Sequence, residues 1–235
     1  MTYQRLSLRA VASGIALLVL GLAGCASSTP TIDMSPEAEV TFDGLHEVKG
    51  GRADQAWARP GIDITQYSKI MLQGAGIEYR PGGEAGRTWH ARSSGGPYEV
   101  TEAQKEAFQE ILVEKFLEEL GKSEHFAVVN EPGPDVLLIK GAVLDVVSYV
   151  PPEPTGRVDV YLSSVGEATL LLELRDSITE AILARAVDRR AAESSSITGL
   201  TESNRVSNTV EIRRLAGAWG RLLREQLDEF GAPKE

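Results

Sequence analysis

Five carboxylates, Asp145, Asp159, Glu167, Glu173 and Asp176, fall on or beside the most strand-like stretches of this sequence. Two facing carboxylates at the right separation are what a glycosidase needs. Spacing along a chain does not set that separation, and charged side chains on strands ordinarily face water, so a solvated sheet face stands beside the hydrolytic reading. His46, His90 and His125 are the only histidines. They lie far apart, without the His-Glu-x-x-His spacing that turns two ligands toward one zinc ion, and no metal ligand is assigned. His125, just past a predicted helix, suits a cation placed against the negative helix end. The chain has no Gly-x-Ser-x-Gly elbow and no Ser-x-x-Lys, so no catalytic residue is assigned. Gly74-Ala75-Gly76 opens like a dinucleotide loop, but Tyr79 stands at the third glycine position and the next helix starts only at Thr101. A phosphate there would lack a helix N-terminus, so no cofactor-binding residue is assigned and no cofactor is expected. Trp57 and Trp89, read as loop residues, can stack on sugars or plug the edges of a sheet.

The residue with legible chemistry is Cys25, the only cysteine. It follows Leu22-Ala23-Gly24 and an apolar run from Ala10 to Ala23 behind Arg5 and Arg9, a run too short to span a bilayer comfortably. The pattern resembles a bacterial lipoprotein signal peptide. That resemblance implies that Cys25 is lipidated, that the peptide is cut before it and that the new terminus is acylated. A lipidated Cys25 is an anchor and not a nucleophile; the alternative is a lone buried thiol packing as a small hydrophobe. One acyl chain holds a protein to a membrane only marginally, at about 0.8 kcal/mol per buried methylene, whereas two or more hold it stably. Ala26 implies, by the same resemblance, transfer to the outer membrane, because enteric-type lipoproteins kept at the inner membrane carry aspartate there. The expected location is the outer membrane, lipid-anchored, on its periplasmic face. With one cysteine there is no intramolecular disulfide, and the domain must be held by its core.

The formal charge is −10. Residues 1–24 contain Arg5 and Arg9 and no acid, so the mature chain is two charges more negative. Nucleic acid and anionic headgroups are poor partners for such a surface. The expected partners are the membrane, through the lipid anchor, and an envelope protein. The oligomeric state is left open.

Stepwise patterning gives the elements. Residues 25–62 read as the lipid anchor and an irregular tether, and 63–231 as a single domain. A strand is predicted over Tyr67 to Tyr79 with a bulge at Gly74 and Gly76. Thr101 and Gln104 form a capping-box pattern before a helical series that includes Phe108, Ile111, Leu112, Phe116, Leu117 and Leu120, and Gly121 offers a stop. Glu106, Glu110, Glu114 and Glu118 mark its wet side. A short strand is predicted at Phe126 to Val129 and a central strand at Val136 to Val147, with Gly141 hinting at a bulge and Pro151, Pro152 and Pro154 ending it. Ala168 to Leu174 alternate as a strand, and Asp176 to Thr179 turn it into Ile182 to Arg189. Residues 191–207 read as mobile, and Asn208 with Glu211 marks the start of a last helix whose apolar face is Ile212, Leu215, Trp219, Leu222, Leu223 and Phe230. This order predicts an α+β two-layer sandwich: one mixed, mostly antiparallel sheet of about five strands with two helices on one face, the first strand-helix-strand unit pairing in parallel.

Three stretches carry a family resemblance: Arg59-Pro60-Gly61-Ile62-Asp63 leading to Tyr67-Ser68-Lys69; Gly133-Pro134-Asp135-Val136-Leu137; and Gly166 through Arg189, including Asp176-Ser177-Ile178-Thr179. Trp219 followed by Leu222 to Asp228 adds to them. Together they resemble a proteobacterial outer-membrane lipoprotein family catalogued only as a domain of unknown function, which implies a place and a fold without an activity. Where that family has glycine after the hairpin threonine, this chain has Glu180. The expected function is a non-enzymatic envelope binding or assembly module. Two alternatives are a cell-wall or polysaccharide hydrolase using a carboxylate pair and a structural spacer. A polar cleft with two facing carboxylates would favour the enzyme, and a pocketless sandwich the module.

Overall fold

The computed structural model describes residues 30–81, 97–151 and 159–232. Cys25 and the residues before it, Ala26, Trp89, His90, Pro152 and Pro154 lie outside these ranges. The described strands are β1 (Thr31–Ile32), β2 (His46–Lys49), β3 (Gln55–Ala58), β4 (Lys69–Tyr79), β5 (Ala127–Val128), β6 (Val136–Ser148), β7 (Tyr161–Leu162), β8 (Ser164–Asp176), β9 (Ile182–Glu193) and β10 (Thr201–Glu202). The described helices are α1 (Glu102–Leu120) and α2 (Arg205–Gly231).

Eight strands form one sheet in the order β1-β2-β3-β9-β8-β6-β4-β5, larger than the five or so strands expected. β4 pairs in parallel with β5 and β6, and the remaining neighbours in this sheet are antiparallel. The additional strands come mainly from the segment read as an irregular tether. Residues 31–58 carry β1, β2 and β3, and β3 joins the sheet beside β9. These strands are two to four residues long, too short for local periodicity to announce them; a partner distant in sequence makes them strands.

α1 begins as its sequence dictates. Thr101 accepts from the Gln104 backbone N–H, and the Gln104 side chain returns to the Thr101 backbone N–H at 2.8 Å. Ile111, Leu112, Phe116 and Leu120 are buried, while the glutamate stripe is exposed and Leu117 lies 42% exposed, outside the face assigned to it. The bulge expected at Gly74 and Gly76 is present. In β6 the irregularity falls elsewhere than expected. Gly141 pairs in register with Leu172, and the register shifts between Leu144 and Val147, where Asp145 has φ +54°. Aspartate tolerates that conformation better than most side chains. Gly141 answers a packing need instead: a Cβ there would lie 3.3 Å from Leu172 Cδ2.

α2 starts four residues before the expected cap. Asn204 accepts from the backbone N–H groups of Val206 and Ser207, and Ser207 Oγ takes the Asn204 N–H. Glu211, expected at that helix start, is 3% exposed and accepts from Ser195 N–H and Oγ–H and from Arg214. The segment read as mobile is therefore tied down at Ser195, and β10 within it pairs with β7. α1 and α2 approach closely at Gly220, where a Cβ would meet Glu119 Cβ at 3.1 Å and the Lys115 carbonyl oxygen at 3.2 Å. One cluster of buried side chains joins both helices to alternate residues of the sheet, among them Ile70, Leu137, Ile139, Leu170 and Leu172.

Candidate binding cavity

Register brings a row of small side chains together. Ala56 lies opposite Ala186 and Ala58 opposite Ala184 across β3 and β9, while Leu172 and Leu174 oppose the same two alanines across β8 and β9. Alternate residues of a strand share a face, so these six line one side of the sheet, the side of Leu170 and Asp188. Because four of the six are alanines, the wall is shallow. The C-terminal half of α2 faces it with Trp219, Leu223, Leu227 and Phe230, and the space between is a cavity of about 390 Å³. Pro30 and Ile32 also line it. Arg52, another lining residue, on the β2–β3 connection, donates to Glu225 at 2.9 Å and lies 3.8 Å from Glu229, bridging that connection to α2. Exposed pairs of this kind contribute at most about 1 kcal/mol, so they fasten the rim weakly.

The charged residues in the cavity wall are Arg52, Asp63, Arg185, Asp188 and Glu229. Only Asp188 is buried, at 5% exposure. Its Oδ2 accepts from Trp219 Nε1 at 2.8 Å and from Arg190 Nε at 2.5 Å. Trp219 is 1% exposed, and a buried indole N–H without a partner would be costly. Asp188 thus holds the tryptophan that forms the cavity's helical side, and Arg190 balances its charge.

Of the carboxylates singled out in the sequence, Asp145, Glu167 and Glu173 bind arginines and Asp176 sits in the hairpin turn. Asp145 accepts from Arg80 and Arg189, whose hydrogen bonds hold its carboxyl below the usual range. Glu167 accepts from Arg189 at 2.7 Å. Glu173 bridges Arg175 and Arg185, and Arg185 reaches on to Asp43 at 2.6 Å. Burial pushes the Glu173 carboxyl upward, but the two arginines outweigh it and the net displacement is downward. Asp176 takes the Ile178 and Thr179 backbone N–H groups and the Thr179 hydroxyl, which hold it low, and its other oxygen accepts from the Tyr67 hydroxyl at 3.0 Å. Burial and this contact push the Tyr67 phenol up to about 12. Asp159 is exposed. No polar cleft with two free facing carboxylates forms among the described residues.

Trp57, read as a loop residue, sits in β3 opposite Arg185, on the face away from the alanines. Its buried Nε1 has no hydrogen-bond partner. His46 places Nδ1 3.0 Å from the Asp33 carbonyl oxygen, and His125 lies exposed in the turn after α1. No group of three metal-type side chains comes together among the described residues, and no described helix is long and apolar enough to cross a membrane.

Sequence reading passed over Asp188 and the alanine row. The signal was present in period-two form: in Ala184-x-Ala186-x-Asp188 the inward positions are two small residues and an acid, an unusual inward face for a strand beside the Leu170, Leu172 and Leu174 side of its neighbour.

The chain is similar to the PelC dodecamer from Paraburkholderia phytofirmans at 12% identity, over 76% of this chain and 96% of that one, with a TM-score of 0.33. Protein XCC0632 from Xanthomonas campestris, of the family DUF330, is similar at 14% identity over 73% of this chain and 93% of its own, with a TM-score of 0.36. CT253 from Chlamydia trachomatis, a hypothetical protein, is similar at 9% identity over 70% and 98%, with a TM-score of 0.34. No curated protein matches the chain. The model of the family described as protein of unknown function, DUF3313, matches residues 37–223, and the chain belongs to that family.

Proposed function

We propose that this protein is an outer-membrane lipoprotein, anchored through Cys25 on the periplasmic face, that works as a non-enzymatic binding module with its site in the cavity between the alanine row and α2. The observation that carries the binding reading is the cavity itself. It is of ligand-pocket size, walled mainly by Ala, Leu and Ile side chains, and its single buried charged group is Asp188. Of the carboxylates considered for hydrolysis, Asp145, Glu167 and Glu173 are occupied by arginines and Asp176 by the hairpin turn. A pocketless sandwich was the simplest expectation for a module; the cavity makes a small apolar ligand, rather than a flat protein contact alone, the substance of the reading. In the same reading the helices and the sheet form a two-layer sandwich, supported by the core cluster they share.

Anchorage and location rest on the residues around Cys25 and are tested in cells. Growth with a fatty-acid probe should label the wild-type chain in the outer-membrane fraction and leave Cys25→Ser unlabelled; label on Cys25→Ser refutes the anchor. Binding is tested by extracting the purified protein with organic solvent. An apolar molecule should be recovered from the wild type and lost from Ala186→Leu, whose longer side chain projects into the cavity. Equal recovery from both places the ligand elsewhere.

A further inference from the structure

Asp188 is hydrogen-bonded through one oxygen only. Oδ2 receives both Trp219 and Arg190, and Oδ1 receives no donor from any described residue. The buried polar side-chain atoms sealed off without a partner are Trp57 Nε1 and Arg224 Nε. Oδ1 is not among them, and Asp188 is one of the residues that line the cavity. A buried acceptor in an apolar wall is the kind of polar group that orients a ligand in a pocket of this type.

Its charge narrows the ligand class. A carboxylate or phosphate head placed beside Oδ1 would meet a like charge at low dielectric. Arg190 already pairs with Asp188, so a cationic head adds less attraction than it would beside a lone carboxylate. A neutral O–H or N–H donor satisfies Oδ1 without adding charge. The rest of the cavity offers such a ligand mainly apolar surface, with Arg52, Asp63, Arg185 and Glu229 as its other charged residues, and its volume is about two to three times that of the roughly 150 Å³ apolar cavity known to hold benzene.

We propose that the cavity binds a neutral, lipid-like molecule: an apolar body of about ten carbons bearing a hydroxyl or amide N–H that donates to Asp188 Oδ1. This rests on the reading of the cavity as the binding site, and the experiment separates the two. The full chain carrying Cys25→Ser is titrated with N-phenyl-1-naphthylamine, a neutral fluorophore with one N–H, and the bound probe is displaced with decan-1-ol or with decanoate. One probe per chain should bind, and decan-1-ol should displace it at least tenfold more tightly than decanoate does, a difference of about 1.4 kcal/mol. Asp188→Asn, folded by circular dichroism, should erase that preference. Ala186→Leu, folded by circular dichroism, should bind at least tenfold more weakly. No probe binding by the wild-type cavity, or full binding by Ala186→Leu, overturns the cavity as the site. Binding with equal displacement by decanol and decanoate leaves the cavity as the site and overturns the neutral-donor class.

Discussion

The same substitution at two tryptophans should have very unequal consequences. Trp219 is 1% exposed and donates its indole N–H to the buried Asp188 carboxylate at 2.8 Å. In Trp219→Phe the hydrogen bond to a charged acceptor is lost, worth about 1.5–3 kcal/mol, and the smaller ring leaves unfilled space at the junction of α2 and the sheet. A total loss of about 2–4 kcal/mol is expected, a large part of the ~5–15 kcal/mol that holds a typical domain. Trp57→Phe removes a buried N–H that has no partner, so the lost contact area is offset by the removal of an unsatisfied donor and stability should change by less than about 1 kcal/mol in either direction. Urea unfolding followed by far-ultraviolet circular dichroism measures both without relying on the fluorescence the substitutions alter. The Trp219→Phe midpoint should fall clearly while the Trp57→Phe midpoint stays near wild type. Equal shifts, or an unmoved Trp219→Phe midpoint, would refute the claim that the Asp188 hydrogen bond, and not aromatic bulk, distinguishes the two sites.

Glu180 sits at φ +56° with an exposed side chain, and its carbonyl accepts from Arg175 whatever the residue is. Glu180→Gly should therefore stabilise the domain by a few tenths to about 1 kcal/mol, the relief of the left-handed conformation being reduced by glycine's larger unfolded-state entropy, and thermal unfolding should shift upward by up to about 4 °C; a downward shift refutes the strain argument. Glu173 is held below its ordinary value of 4.5 in the folded state by Arg175 and Arg185, against the upward push of burial. Its contribution is present above that value and lost as pH falls through the lower folded one, so the melting temperature of Glu173→Gln should fall less than that of wild type between pH 7 and pH 3; parallel curves would remove Glu173 from the acid response.

Elements specified by neighbouring residues are legible in the sequence. The Thr101 capping box and the alternation from Ala168 to Leu174 are local, and each appears where the residues put it. The N-terminal strands are not legible in that way, because Gln55 to Ala58 are a strand by virtue of pairing with Ala184 to Val187. The start of α2 is misread for a related reason. Asn208 and Glu211 match the spacing of a cap, but burial of Glu211 against Ser195 takes it out of that role and Asn204 supplies the cap. The cavity lies furthest from the sequence, since its wall exists only when three strands and a helix meet in register, and its volume follows from what the alanines lack.

The incorporation of residues 31–58 into the sheet changes the mechanics of the proposed anchoring. If the first body-forming residues began after residue 62, the chain could roam on a long leash. With β1 starting at Thr31, Cys25 is separated from the folded body by a handful of residues, which fully extended reach only about 20 Å. Under the anchorage proposed at Cys25, a body moored that closely would ride at the headgroups, and Pro30 and Ile32, in the cavity wall, would be the first part of it above the mooring. A lipid-like guest leaving the bilayer would then cross little water, and lengthening the 26–30 segment should slow its capture without altering affinity at equilibrium.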